Sequence, residues 1–223
     1  MKRLALLAVA LGLAAPGLRA ACGDPAGAGV DWSGCQKSRL VLREQSLKGA
    51  KFDRALLAGI DFRGADLGGA SFVAAELSRS SFRGAGLEGA RLEKTVAIRS
   101  GFQGARLAAA NLEKAEFHRC DLSKAVLRGA NLAKGDFGRT RFDGADLQDA
   151  KLGFASLARA SFRGAQLAGA DFSRAFTFGA RFERTDLSAA RGLTQEQLDV
   201  ACGDSGTRLP AGLKRPAAWP CKE

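Results

Sequence analysis

Tyrosine is absent from the 223 residues, histidine and methionine occur once each, and there are two tryptophans and five prolines. With His118 as the single imidazole and no phenol, most acid–base and metal chemistry lacks its usual side chains, which argues against an enzyme. No Cys-x-x-Cys or Cys-x-x-His spacing exists among the five cysteines, so no zinc-type ligand set is expected. No Gly-x-Gly-x-x-Gly or Gly-Lys-(Ser/Thr) word opens a helical pattern, so the 28 glycines do not read as phosphate loops. The sequence therefore offers no catalytic residue, no metal and no cofactor. Its hydrophobic content of 46% excludes wholesale disorder, and 34 Lys+Arg against 23 Asp+Glu give a net charge of +11.

Long apolar runs are also scarce. The one candidate, Leu4 to Leu18, follows the basic pair Lys2-Arg3 and precedes Leu18-Arg19-Ala20. Residues 1–20 thus read as a secretory leader, because the run is shorter than the roughly 20 residues that span a bilayer. Cleavage after Ala20 leaves Cys22 near the new start, but Arg19 stands where a lipoprotein signal requires an apolar residue. The expected location is periplasmic or secreted, and the mature charge is about +8 after loss of Lys2, Arg3 and Arg19.

What the chain has in abundance is period. From Leu42 to Leu187, every fifth residue is Leu or Phe in 28 of 30 cases, and the exceptions, Ala97 and Thr177, do not shift the register. Two residues before each centre stands Ala in 20 cases and Ser, Thr, Cys or Gly in seven; Leu40, Gln45 and Ile60 are the large exceptions. Neither a helix, with its period of 3.6, nor a strand, with its period of 2, gives a strict period of five. A chain that turns a corner every five residues does, with the centre and the small residue pointing inward. Every fourth centre forms a column: Leu47, Leu67 and Leu87 continue to Leu187, and Phe62, Phe82, Phe102, Phe142, Phe162 and Phe182 fill most of another. Four faces of five residues make a coil of twenty, and thirty pentapeptides make seven and a half coils. At the parallel-strand spacing of ~4.8 Å, the stack is a rod of roughly 36 Å.

The words Ala65-Asp66-Leu67, Ala110-Asn111-Leu112, Ala130-Asn131-Leu132 and Ala145-Asp146-Leu147 resemble the Ala-(Asp/Asn)-Leu-x-x motif of the pentapeptide-repeat family, over about two-thirds of the chain. That resemblance implies an all-β fold, a right-handed quadrilateral parallel β-helix of about seven to eight coils. It implies almost nothing about activity, since one fold serves many roles. The β-helix is assigned to 42–190, with caps at 21–41 and 191–223, because a solenoid exposes unpaired backbone and apolar surface at both ends. Thr194-Gln195-Glu196-Gln197 forms a capping box that predicts a short helix reaching about Cys202, with Gly203 as its stop. Bridged Cα atoms lie within about 7 Å, whereas the two caps stand a rod length apart. The expected disulfides are therefore Cys22–Cys35 and Cys202–Cys221, suited to an oxidising compartment. Cys120 occupies an inward small position and is expected to be a buried, inert thiol, while His118 points outward. Ala97, between Val96 and Ile98, and Thr177, between Phe176 and Phe178, are expected to be packing irregularities, with a bulge or an apolar contact patch as the other options.

Charge supplies the functional expectation. Two residues after the centres of one face stand Arg79, Arg99, Arg119, Arg139 and Arg159; the preceding face carries Arg54, Lys94, Lys114, Lys134 and Arg174 at the equivalent position. Glu76, Glu93, Glu113, Glu116 and Asp136 lie near enough to relieve some of the repulsion between stacked cations. The two columns form a basic strip that is either a solvated face with local ion pairs or a docking surface for an anionic polymer or acidic protein. The expected function is a non-enzymatic binding or scaffold protein of the cell envelope, of unspecified oligomeric state. The alternative, a DNA mimic that protects topoisomerases, is a role of some family members that needs an acidic surface. Net charge would allow nucleic-acid binding, but the leader at 1–20 and the lack of an exposed aromatic stacking row argue against it, so nucleic acid is not an expected partner.

Overall fold

A computed structural model describes residues 22–221; the predicted leader, 1–20, lies outside them. The chain winds as stacked square coils joined by parallel rungs twenty residues apart as far as Asp171–Arg191; the last two, Arg181–Cys202 and Asp186–Arg208, are wider. One column of rungs runs unbroken from Asp31 through Lys51 to Arg191, eight steps in all. We name the four faces after their prominent residues: the Lys face (centres 32, 52 … 172), the Arg face (37, 57 … 177), the Phe face (42, 62 … 182) and the Leu face (47, 67 … 187).

Hydrogen bonding explains why five residues make a side. At Phe52, the centre's amide donates to the Ser71 carbonyl on the next coil (2.7 Å), and the Arg54 amide donates to the Val73 carbonyl (2.8 Å). The Ala55 amide closes a turn onto the Phe52 carbonyl (3.1 Å), and Leu56 donates back to Cys35 on the preceding coil (2.8 Å). The third residue of the turns through Arg184 has positive φ, 56° at Arg54, which is the type II arrangement. One amide per side, that of the residue after the centre, is left over by this scheme. The Asp or Asn before the centre takes it: Gly68 donates to Asp66, Glu113 to Asn111, Ser123 to Asp121 and Gln148 to Asp146, at 3.0–3.3 Å. The Ala-(Asp/Asn)-Leu word is thus a small residue that fits inside, an acceptor for the one spare donor, and a core side chain.

The interior is one continuous apolar cluster. The centres Phe62, Phe82, Phe102, Phe142, Phe162 and Phe182 are fully buried. Stacked neighbours in this column lie 4.6–5.3 Å apart by ring centroid, matching the coil spacing. Where Leu122 interrupts the column, Phe117 and Phe137 on the Arg face carry the ring chain across, from Phe102 to Phe117 (5.0 Å), to Phe137 and back to Phe142 (5.9 Å each). Hydroxyls at inward small positions cause no penalty, because each reaches a turn carbonyl on the preceding coil. Ser80 donates to Leu57, Ser100 to Leu77 and Thr95 to Phe72, at 2.7–3.0 Å.

Three boundaries differ from expectation. The rungs begin at Asp31, so Trp32 is a buried centre and Cys35 an inward small residue of a first coil placed within 21–41. The five-residue period does not announce this coil because Lys37 fills its next centre, with its ammonium 4.1 Å above the Trp32 ring. At the other end, α1 spans Gln195–Asp199, shorter than predicted. Its capping box is present, Thr194 accepting from Gln197 N–H and donating to the Gln197 amide oxygen. The helix stops early because Cys202 rejoins the coil: its amide donates to the Ala180 carbonyl (2.7 Å) and it pairs with Arg181. Finally, Gly203 lies beyond the helix end and serves packing instead, since an added Cβ would sit 2.3 Å from the Trp219 ring that closes the rod. Cys22 and Cys35 are disulfide-bonded, with Cα atoms 5.6 Å apart, and Cys202 and Cys221 likewise at 5.5 Å.

Truncating a stacked ring, as in Phe82→Ala, is expected to cost about 3–5 kcal/mol, read as a lower guanidinium midpoint. Acid acts on the spare-donor bonds. The hydroxyl and amide of Ser173 hold the Asp171 carboxyl below its ordinary value, as Ser188 does for Asp186. Carboxyls lowered by folding stabilise the fold above their unfolded value of about 3.9, and that contribution is lost as pH falls through the folded value. Thermal melts are therefore expected to drop below about pH 4; Asp171→Asn should shrink that drop.

Candidate functional site

The backbone that builds each corner also positions the arginines. Arg79, Arg99, Arg119, Arg139 and Arg159 are all third residues of turns, with φ of 56–60°. Each donates its own amide to the carbonyl of the next coil, Ile98, His118, Gly138, Ala158 and Phe178 in turn, at 2.8–3.1 Å. The side chains therefore leave the rod from identical backbone at one-coil intervals. Arg39 begins the same column, and Gly59 and Gly179 complete it.

Left-handed backbone costs a non-glycine residue roughly 1–2 kcal/mol, and glycine nothing comparable. The other faces show how the chain meets this need when nothing else intervenes. On the Leu face the position is most often glycine (Gly49, Gly69, Gly89, Gly129 and Gly169, against Ala109 and Asp149), and so it is on the Phe face (Gly64, Gly84, Gly104, Gly144 and Gly164, against Glu44, Lys124 and Arg184). Lys94, Lys114, Lys134 and Arg174 on the Lys face also carry positive φ. The two basic columns thus occupy positions that the Phe and Leu faces fill more often with glycine than with any other residue. The sequence held this signal, since Gly recurs at the same register elsewhere, but its cost is visible only once φ is known.

The expected ion pairs around the Arg column do not form. Thirteen ion pairs occur among the described residues, and none includes a residue of the Arg face. Of the nearby acids, Glu76 accepts from the Ser78 amide (2.8 Å) and Asp136 from the Gly138 amide (2.8 Å), which turns them toward backbone. Glu113 pairs with Lys134 (3.2 Å), and that contact holds its carboxyl below the usual range. Lys94 and Lys114 have no ion pair among the described residues.

Beside the arginines the face is low, because Ser38, Ala58, Ser78, Gly138 and Ala158 follow the centres. Three shallow depressions of 380, 340 and 440 Å³ lie there, bordered by Arg39 and Arg79, by Arg79, Arg99 and Arg119, and by Arg139 and Arg159. His118 stands between the second and third, with its ring over Gly138. Phe178 ends the last depression.

Ala97 and Thr177 are not bulges, because Val96 and Phe176 keep their rungs with the neighbouring coils. Thr177 is buried, and its hydroxyl donates to the Gln197 carbonyl (2.7 Å), anchoring α1 to the rod. Its flanking residues turn outward: Phe176 and Phe178 are exposed, with rings 6.3 Å apart and nearly parallel. The exposed aromatic pair matches the apolar contact patch that stood as one option at Thr177. Cys120 is buried, its Sγ donating to the Ala97 carbonyl, and burial pushes its thiol up to about 12. It points inward and His118 outward, so the two form no nucleophile–base pair.

This geometry frames the comparisons. The pentapeptide repeats family signature matches eight copies over residues 60–96, 100–139 and 140–176, just over half of the chain. The chain belongs to the pentapeptide repeat family, and its fold is that family's right-handed β-helix. Among solved structures it is similar to full-length QnrB1, a plasmid-mediated fluoroquinolone resistance protein, at 20% identity and a TM-score of 0.53, covering 81% of this chain and 91% of that one. It also aligns with HetL, involved in heterocyst differentiation regulation in the cyanobacterium Nostoc sp. Strain PCC 7120, at 25% identity and TM-score 0.24, covering 77% and 88%. A thylakoid-lumen pentapeptide repeat protein of Arabidopsis thaliana aligns at 26% identity and TM-score 0.31, covering 62% and 81%. The likeness to QnrB1 shows the fold alone. No curated protein matches the chain.

Two outcomes follow. Replacing Arg99, Arg119 and Arg139 with glycine is expected to leave the melting temperature unchanged or raised. Relief of left-handed strain, about 1–2 kcal/mol per residue, offsets the ~0.4–1 kcal/mol that glycine's extra unfolded freedom costs. A drop of more than a few degrees would show that the arginines serve the fold. Thiol titration of the native, oxidised protein should find no reactive sulfhydryl, and after unfolding without reductant just one, that of Cys120.

Proposed function

We propose that the protein is a non-enzymatic binding or scaffold protein of the cell envelope that docks anionic partners along its Arg face. One observation carries the reading: a column of five arginines in consecutive coils holds left-handed positions that the Phe and Leu faces most often give to glycine, and not one is ion-paired among the described residues. A merely solubilising face would gain as much from cations at relaxed positions, and stacked like charges repel. An anionic partner relieves that repulsion and takes up several cations in register. The two disulfides and the leader reading of residues 1–20 support a periplasmic or secreted location. A topoisomerase-protecting DNA mimic is the lesser reading, because imitation of phosphates needs acids where this chain carries arginines.

The test uses inorganic polyphosphate as a soluble polyanion. The protein, the Arg99→Glu/Arg119→Glu/Arg139→Glu variant and a variant of equal net charge, Arg83→Glu/Lys124→Glu/Arg184→Glu on the Phe face, are compared across a salt series. Salt-sensitive binding is expected for the protein and the Phe-face control, weakened about tenfold or more in the Arg-face variant. Equal weakening in both variants would reduce the strip to bulk charge and overturn the proposal.

A further inference from the structure

We infer that the Arg face is a membrane-docking plane, which lies against a bilayer rich in anionic lipid with Phe176 and Phe178 entering the headgroup region. This rests on the reading of the Arg column as a docking surface and adds the class of partner. Six large apolar side chains stand exposed among the described residues, and their distribution is not random. Leu56, Phe176 (56% exposed) and Phe178 (49%) are on the Arg face. Phe154 (55%) stands at the corner that the Arg face shares with the Lys face, in the same column as Lys134 and Arg174. Val200 lies beyond Phe178, with its carbonyl accepting from Gly179 (2.6 Å). Val41 alone belongs elsewhere, on the Phe face.

The face that withholds its arginines from ion pairs is thus also the face that leaves its aromatics uncovered. Each property alone is ordinary on a soluble protein; together they describe an interfacial surface, with cations for the headgroups and apolar side chains for the boundary beneath them. Cations flank the face on both edges, Lys94 and Lys114 on one and the Arg column on the other, so a broad plane meets the bilayer. The carboxylates Glu76, Glu116 and Asp136 subtract from the attraction, although Glu76 and Asp136 are engaged by backbone amides. A linear polyanion would satisfy the arginines and leave the Phe cluster in water. A bilayer satisfies both, and each Lys or Arg near an anionic surface strengthens binding about fivefold.

The experiment is co-sedimentation of the oxidised protein with phosphatidylcholine vesicles, with and without phosphatidylglycerol, across salt. Binding is expected only with phosphatidylglycerol, and to fall more than about a hundredfold in the Arg99→Glu/Arg119→Glu/Arg139→Glu variant. Phe176→Ser/Phe178→Ser, whose side chains are outside the core, should melt like the parent and bind about tenfold more weakly, with the deficit persisting at high salt. In Phe178→Trp the added indole should be quenched by lipids brominated on their acyl chains, while the buried Trp32 and Trp219 of the parent are not. Equal binding to both vesicle types, full binding by the double Phe variant, or an unquenched added indole each overturns the inference. Arg-dependent polyphosphate binding without vesicle binding would keep the docking surface and transfer it to a soluble polyanion or acidic protein; loss of both would end both readings.

Discussion

Everything in this rod hangs on the left-handed residue at each corner. Its positive φ turns the chain through a right angle and at the same moment aims its amide along the rod axis, into the carbonyl of the next coil. Corner and rung are therefore one event, repeated every five residues. A corner lost would also be a rung lost, which is why the register survives even where the core residue changes, as at Ala97 and Thr177. The acceptor before each centre follows from the same scheme, since it binds the single amide that the corner leaves unused.

The repeat made most of this legible without coordinates. Period five with period twenty superposed admits one arrangement of side chains, and the structure has it, with the Phe and Leu columns buried throughout. What the pattern did not reveal lies where single residues break composition but not geometry. Lys37 at a centre hid the first coil, because a cation over the Trp32 ring substitutes for an apolar residue. Cys202 was read as the end of a helix, although its backbone belongs to the ladder. Phe176 and Phe178 flank Thr177 in the sequence, where an irregularity and an apolar contact patch look alike; only the folded geometry shows both rings exposed.

The candidate site was legible in its residues and hidden in its energetics. The Arg column can be read directly from residues 79, 99, 119, 139 and 159. That these residues hold strained backbone, that the acids beside them turn to amides, and that the ion pairs gather on the other three faces are all properties of folded geometry. Glu116 stands close to Arg119 in sequence, yet no ion pair joins the two among the described residues.

The twenty-residue step has a consequence for how such a surface changes over time. Duplicating one coil inserts whole into the stack, with both new interfaces matching the old, and lengthens the rod by about 4.8 Å. It also adds one arginine to the column, in line with the rest. Reach and valency are in this way a single heritable quantity, and binding strength can grow or shrink by recombination of identical segments, without any new corner, core or contact having to arise.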